Sequence, residues 1–271
     1  MPEPPIARRA DIPAVSRPLL GLFRAIVRRY FRRHFHAVRL SGTHHLASVQ
    51  GPLIVYANHG SWWDPMVSYL LAARLLGDRP SYAPMDAAAL VHYPVLRKLG
   101  IFPVEMSTLR GAARFLRTGR AVLGSGGALW ITPQGQFTDA RQRPLVFKPG
   151  MAALAARMGQ CTLVPLAIEY TFWDERLPEA LLLVGAPVEV AGDSAESLNL
   201  RLVSALETCM DDLRERALTR SPDAFEQILS FRAPGAGGMY ALAQRVRAFV
   251  SRKPYRAEHT PSRPRHGAVP Q

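Results

Sequence analysis

Leu53–Ile54–Val55–Tyr56–Ala57–Asn58–His59–Gly60–Ser61–Trp62–Trp63–Asp64–Pro65 is the stretch on which the fold and the chemistry of this chain turn. The apolar run Leu53–Ala57, bounded upstream by Gly51–Pro52, has the pattern of a buried strand. From Met66 to Leu76 the residues follow a helical pattern, and Gly77 supplies the stop signal. His59 leaves the strand and Asp64 stands at the mouth of the helix, so the turn between them can set the two side chains together. Such a pair suits general-base chemistry. The carboxylate holds one ring nitrogen and stabilises the imidazolium, while the other nitrogen takes a proton from a hydroxyl. The plainer reading is a helix start in which Ser61 or Asp64 caps and His59 fills a turn.

The neighbouring residues favour the first reading. Asn58-His59-x-Ser61-x-x-Asp64-Pro65 resembles the catalytic motif of the glycerolipid acyltransferase family, whose members acylate lysophospholipids and glycerol phosphates. Further blocks follow in the family's order. Gly100–Ile101–Phe102–Pro103–Val104–Glu105 resembles the second, Thr132–Pro133–Gln134–Gly135 the third, Phe147–Lys148–Pro149–Gly150 a Phe-Lys-x-Gly block, and Val164–Pro165–Leu166 the last. The resemblance covers about residues 38–190. It implies His59 and Asp64 as catalytic residues, with Asn58, Ser61, Glu105, Pro133, Gln134, Gly135 and Lys148 as substrate-binding positions. It implies no bound cofactor and no metal, with an acyl-coenzyme A or acyl carrier protein thioester as co-substrate.

Composition agrees with one sizeable domain. Of 271 residues, 48% are hydrophobic, ample for a core. Cys161 and Cys209 stand far apart, giving neither a disulfide framework nor metal-ligand spacing, and point to a reducing compartment. No run approaches the ~20 apolar residues of a membrane-spanning helix, and no apolar signal core stands near residue 1.

The net charge of +13 asks for an acidic partner or surface. The basic residues are not interleaved with aromatics as in nucleic-acid modules, so no nucleic acid is expected. They gather at the two ends instead. Residues 18–36 are read as a basic amphipathic helix, with Leu19, Leu22, Phe23, Ile26, Val27, Tyr30 and Phe31 on one face and arginines largely on the other. That is the pattern of an interfacial helix on an anionic membrane, or of a surface helix with a solvated arginine face. The resemblance favours the membrane, and a cytoplasmic protein peripheral on the inner face of the cell membrane is expected.

The remaining chain alternates strand and helix patterns. Strands are expected at 38–40, 80–85, 101–104, 128–132, 162–168 and 181–184. Helices are expected at 87–99 (interrupted by Pro94), 108–123, 149–158 and from a capping box at Asp193 and Glu196 to about Leu218. This predicts an α/β fold with a mixed, largely parallel central sheet flanked by helices, plus the N-terminal amphipathic helix. The domain plan is a flexible leader at 1–17, the interfacial helix at 18–36 and the acyltransferase domain at 37–220. A C-terminal helical extension at 221–250 and a disordered basic tail at 251–271 complete it. His59, Glu105 and Gln134 each follow a strand, so the carboxyl edge of the sheet can gather them.

Two departures from the family bear on the substrate. The second block reads Glu105–Met106 and the third Gln134–Gly135–Gln136–Phe137, so both arginines that the resemblance assigns to the acceptor's phosphate are absent. The sequence thus points to an O-acyltransferase whose lipid acceptor lacks a phosphate monoester, such as a glycolipid or other lipid alcohol. Two alternatives stand beside it. One is a lysophosphatidate acyltransferase that recruits Arg110, Arg141, Arg143 or Lys148. The other is a non-catalytic membrane-binding protein on the same fold.

Overall fold

The computed structural model describes residues 12–47 and 49–230. Strand β2 (Leu53–Ala57) is buried along its whole length, because both faces of the sheet around it are covered. Its side chains alternate: Leu53, Val55 and Ala57 enter one core layer, Ile54 and Tyr56 the other. The first layer is closed by α1 (Arg17–His34) and α3 (Asp64–Leu75), the second by α5 (Leu109–Gly124), α6 (Gly150–Met158) and α7 (Ala195–Leu218). Strands buried on both faces read as continuous apolar runs, which is why this one is legible in the sequence.

The sheet also contains β1 (Ala37–Ser41), β3 (Ser81–Asp86), β4 (Ile101–Val104), β5 (Ala128–Ile131), β6 (Thr162–Thr171), β7 (Glu179–Val184), β8 (Val188–Glu189) and β9 (Glu226–Ser230). Its order is β4-β3-β5-β2-β6-β7-β1-β9, with β8 pairing off this path onto the start of β6. Strands β4, β3, β5, β2 and β6 run parallel, while β7 is antiparallel to β6, β1 is parallel to β7, and β9 is antiparallel to β1. The expected α/β class with a mixed, largely parallel sheet is the architecture found. Strand β6 is the longest of the sheet's strands. It pairs with β2 as far as Leu166 and then runs on to Thr171 against β7, overhanging the point where β2 turns away.

Several expectations need correction. Residues 222–224 form a short 3-10 turn and Glu226–Ser230 forms β9, where a helical extension was expected over 221–250; residues 231–250 lie outside the described residues. The open edge of β1 offers backbone hydrogen bonds that this segment fills as a strand. Residues 87–99 are not one helix: α4 (Ala87–Val91) ends before Pro94, and a 3-10 turn follows at Pro94–Lys98. Helix α7 is capped by Ser194, whose Oγ accepts from Ser197 N, rather than by Asp193. The Asp193 carboxylate instead accepts from Ala191 N and Arg201. The end of the leader is anchored, since Ser16 N donates to Lys98 O and Val15 bridges Leu99; residues 1–11 lie outside the described residues, as does the tail at 251–271.

The apolar face of α1 is divided between two duties. Val27 and Phe31 are fully inside the core, and Phe23 packs edge-on to Tyr69 of α3 with ring centroids 4.9 Å apart. Leu22, Ile26 and Tyr30 are exposed, and so is Trp62, whose ring centroid lies 6.1 Å from that of Tyr30. The helix therefore packs on the domain and also keeps an outward apolar ridge, flanked by exposed Arg28, Arg29, Arg32 and Arg33.

Candidate active site

At the end of β2 the chain must leave the sheet without stranding its neighbour's backbone groups. Asn58 does this with its side chain: Nδ2 donates to Ile168 O at 2.9 Å, and Oδ1 accepts from Ile168 N at 2.8 Å. His59 is then fixed through its main chain. Its amide donates to Gln134 Oε1 at 2.7 Å, and its carbonyl accepts from Thr138 N at 2.8 Å. Ser61 Oγ accepts from Trp63 N and shapes the turn into α3, whose first residue is Asp64.

These constraints bring His59 Nδ1 to 2.8 Å from Asp64 Oδ2. The same oxygen accepts from Ser61 N at 3.0 Å, while Oδ1 accepts from Tyr170 OH at 2.7 Å. Asp64 thus performs both tasks that the sequence offered as alternatives, bracing the turn and holding the histidine. Its side chain is 1% exposed and that of His59 17%. With Nδ1 donating to Asp64, Nε2 is the ring nitrogen left to meet a substrate.

The other blocks converge on the same edge. Gly135 has φ +67°, and its amide closes a turn onto Thr132 O. A Cβ there would meet Lys148 Cε at 2.7 Å and Met106 Cε at 3.1 Å, so the second, third and fourth blocks touch across this glycine. Lys148 N donates to Pro133 O. Glu105 is half-buried just beyond β4, and its carbonyl lies under the first turn of α5. That turn starts at Thr108, whose Oγ1 accepts from Gly111 N, and a Cβ on Gly111 would stand 1.8 Å from Glu105 O. Gly111→Ala is therefore expected to destabilise the protein by about 1–3 kcal/mol through overpacking. The measurement is the urea midpoint at constant m-value, and an unshifted midpoint would show that this contact yields easily.

Of the positions expected to bind substrate, Asn58, Ser61 and Gln134 are engaged with the protein itself. The first two shape the turn, and Gln134, buried at 6% exposure, turns its carbonyl onto the His59 backbone. Pro133, Gly135, Lys148 and Glu105 form the adjoining rim. The Gly135 amide is engaged with Thr132, whereas the Gly60 amide has no hydrogen-bond partner among the described residues. Of the aromatic residues in the sequence blocks, Phe102 is core, Trp63 lies in an aromatic cluster with Phe31 and Phe35, and Trp62 is exposed.

The surroundings of the two missing arginines are apolar. Phe137 is exposed and lies against His59, with ring centroids 4.5 Å apart. Arg141 clamps Asp139 through Nε and Nη2, and those hydrogen bonds hold the Asp139 carboxyl well below its usual range. Arg143 reaches Asp211 on α7 at 3.2 Å. Arg110 is exposed in the first turn of α5. Lys148 makes no ion pair among the described residues.

Tyr170 is missed from sequence because the apolar run predicts a strand that ends at Ile168. Its signal was available: Leu166, Ile168 and Tyr170 keep the period of two that faces α1 and α3. Thr138, which fixes the His59 carbonyl, carried no such signal. Both cysteines are buried and free, and burial pushes each thiol up to about 12. Among the described residues no group of three or more His, Cys, Asp or Glu could hold a metal ion. No helix among them is long and apolar enough to cross a membrane.

Residues 37–169 match the family model described as Acyltransferase, which marks that stretch as an acyltransferase domain. Among solved structures the chain is similar to the 1-acyl-sn-glycerophosphate (LPA) acyltransferase PlsC from Thermotoga maritima. The TM-score is 0.52 at 19% identity, over 73% of this chain and 79% of that one, a likeness of fold. No curated protein matches the chain.

Proposed function

We propose that this acyltransferase is a membrane-associated O-acyltransferase. It moves a fatty acyl group from a coenzyme A or acyl carrier protein thioester to a lipid hydroxyl that has no phosphate monoester beside it. The observation that carries the reading is the His59–Asp64 pair, 2.8 Å apart on the carboxyl edge of the sheet. His59 Nε2 removes the proton of the acceptor hydroxyl as its oxygen bonds to the thioester carbonyl carbon. Asp64 stabilises the imidazolium that results. The tetrahedral intermediate expels the thiolate as the C–S bond breaks, and the His59 proton passes to that sulfur. The products are an ester and a free thiol. The backbone amide of Gly60 is the candidate oxyanion donor. Buried cysteines whose thiols are pushed up to about 12 make poor nucleophiles, which supports direct transfer over an acyl-enzyme. The test is to incubate the purified protein with an acyl thioester and lipid alcohols, measuring ester formed against thiol released. Equal amounts are expected, and thiol release without any acylated lipid would refute transfer. Cys161→Ala and Cys209→Ala are expected to stay active in the same assay.

A second reading, a phosphate-bearing acceptor, is favoured by one observation: the Lys148 side chain lies against Gly135 without an ion pair among the described residues. Lysine binds phosphate as a point charge, without the bidentate fit of a guanidinium.

Peripheral membrane binding rests on the outward ridge Leu22, Ile26, Tyr30 and Trp62 with its flanking arginines, and on a net charge of +13. The cytoplasmic face of the cell membrane, with its anionic lipids, is the surface this charge fits. Adsorption would combine apolar insertion with ~1 kcal/mol per basic residue near the surface, weakened by salt. Leu22→Asp/Ile26→Asp is expected to weaken binding to vesicles containing phosphatidylglycerol at least about tenfold, since each lost side chain forfeits about 1.5–3 kcal/mol of burial. Co-sedimentation across ionic strength measures this, and unchanged binding would remove α1 from the interface. Phe31→Asp is no substitute in this experiment, because Phe31 is core.

A further inference from the structure

We infer that Tyr170 is a positioning residue of the acyl-transfer site, holding Asp64 in the orientation that serves His59. This rests on the general-base reading above and adds a third side chain to it. Tyr170 lies just past the stretch that matches the acyltransferase family model, on the part of β6 that overhangs β2. Its hydroxyl donates to Asp64 Oδ1 at 2.7 Å, the oxygen that neither His59 nor Ser61 touches.

The plain alternative is that a buried phenol merely needs a partner. Three features argue for more. First, Asp64 is 1% exposed, so water does not compete for the carboxylate. Both of its oxygens are occupied, and without the phenol Oδ1 would lose its partner among the described residues. A carboxylate gripped by donors at both oxygens cannot rotate about its Cβ–Cγ bond, so Oδ2 stays in line with His59 Nδ1. Second, burial, the Asp64 charge and the hydrogen bond together hold the Tyr170 phenol well above its usual range, so it remains a proton donor throughout the working pH range. Third, the ring itself is fixed. Phe35, fully in the core, packs against it with centroids 5.7 Å apart, and also meets Trp63, the residue before Asp64, at 4.8 Å. The phenol thus bridges two pieces of scaffold, β6 and the start of α3, at the one oxygen the turn leaves open.

Two replacements test this. Tyr170→Phe removes the hydroxyl and keeps the ring; 3-fluorotyrosine at position 170 keeps both and makes the phenol a stronger donor. The readouts are steady-state kinetics with a lipid alcohol and an acyl thioester, and the proton resonance of His59 Nδ1. Tyr170→Phe is expected to lower kcat about ten- to a hundredfold, the worth of one hydrogen bond to a charged group, with KM for both substrates near wild type. The Nδ1 resonance should move in opposite directions in the two proteins, because the phenol tunes the electron density on Asp64. A kcat within twofold of wild type with an unmoved resonance would overturn the proposal. So would a joint change of kcat and KM with the resonance unmoved, the mark of a merely structural hydroxyl. If Tyr170→Phe fails to fold, the fluorotyrosine protein alone decides, and an unmoved resonance there is the overturning result. The His59→Ala protein separates the two levels: if it is inactive while Tyr170→Phe behaves as wild type, only the role of Tyr170 falls, and if it is active the general-base reading falls instead.

Discussion

His59→Ala is expected to abolish transfer in a protein that still folds, and Asp64→Asn to lower it by orders of magnitude. General-base assistance contributes ~10²–10⁴-fold, and fixing the base adds to it. The geometry explains why the Asp64 variant should remain folded. Asp64 receives three hydrogen bonds, from His59 Nδ1 and Ser61 N on one oxygen and from Tyr170 OH on the other. An asparagine can keep its carbonyl toward His59 and Ser61 and turn its amide toward Tyr170, whose hydroxyl accepts as readily as it donates. The phenol oxygen then accepts from the amide, so that the proton of the phenol is the one buried donor left without its acceptor, and the fold loses little. The negative charge that stabilises the imidazolium is what disappears, and that loss falls on kcat. Should the amide flip, it would face Nδ1 with a donor and force the wrong tautomer, which lowers the rate further. Circular dichroism with urea unfolding provides the folding control, and product formation from a labelled thioester the rate. A folded His59→Ala protein that retains most of the wild-type rate would end the mechanism.

The parts of this molecule that were legible in the sequence are those in which side-chain chemistry and local geometry coincide. Leu53–Ala57 could only be a doubly covered strand. His59 and Asp64 were found because the turn brings residues five apart together, a purely local relation. Gln134 shows where such reading fails. Its polarity was visible, but its direction was not: a polar residue in a loop at a sheet edge can face a substrate or brace a neighbour, and here it braces His59 across two strands. Tyr170 is a tertiary partner, 106 residues from Asp64; the period of two in β6 marks the face it lies on but not the carboxylate it meets. The apolar face of α1 was legible as a face; that it would be shared between Phe31 inward and Ile26 outward depends on how α3 packs against it. The expected helix at 226–230 became a strand because an unpaired sheet edge outweighed a weak local preference.

A neutral lipid alcohol or glycolipid should be acylated in preference to lysophosphatidate. An enzyme that selects a phosphate dianion beside its histidine would be expected to aim guanidinium groups at it, because the planar fork binds two oxygens and never loses its charge. At the two positions in question stand Met106, pressed on Gly135, and Phe137, lying against the His59 ring. Neither can hold an anion; Phe137 presents apolar surface beside the His59 ring, and Met106 stands beside Gly135. Of the arginines nearest in sequence, Arg141 grips Asp139 and Arg143 pairs with Asp211 on α7, while Arg110 stands exposed on the first turn of α5. Lys148 remains, and its ammonium is a single point charge. Charge-assisted contacts contribute about 1.5–3 kcal/mol each, so lacking two could cost on the order of 10²–10⁴-fold in preference for a phosphate-bearing acceptor. Competition between lysophosphatidate and neutral acceptors for one labelled thioester measures this ratio. Met106→Arg/Phe137→Arg is expected to move the ratio toward lysophosphatidate, while Lys148→Met leaves the use of neutral acceptors near wild type. A wild-type preference for lysophosphatidate that collapses in Lys148→Met would overturn the expectation and give the phosphate to that lysine.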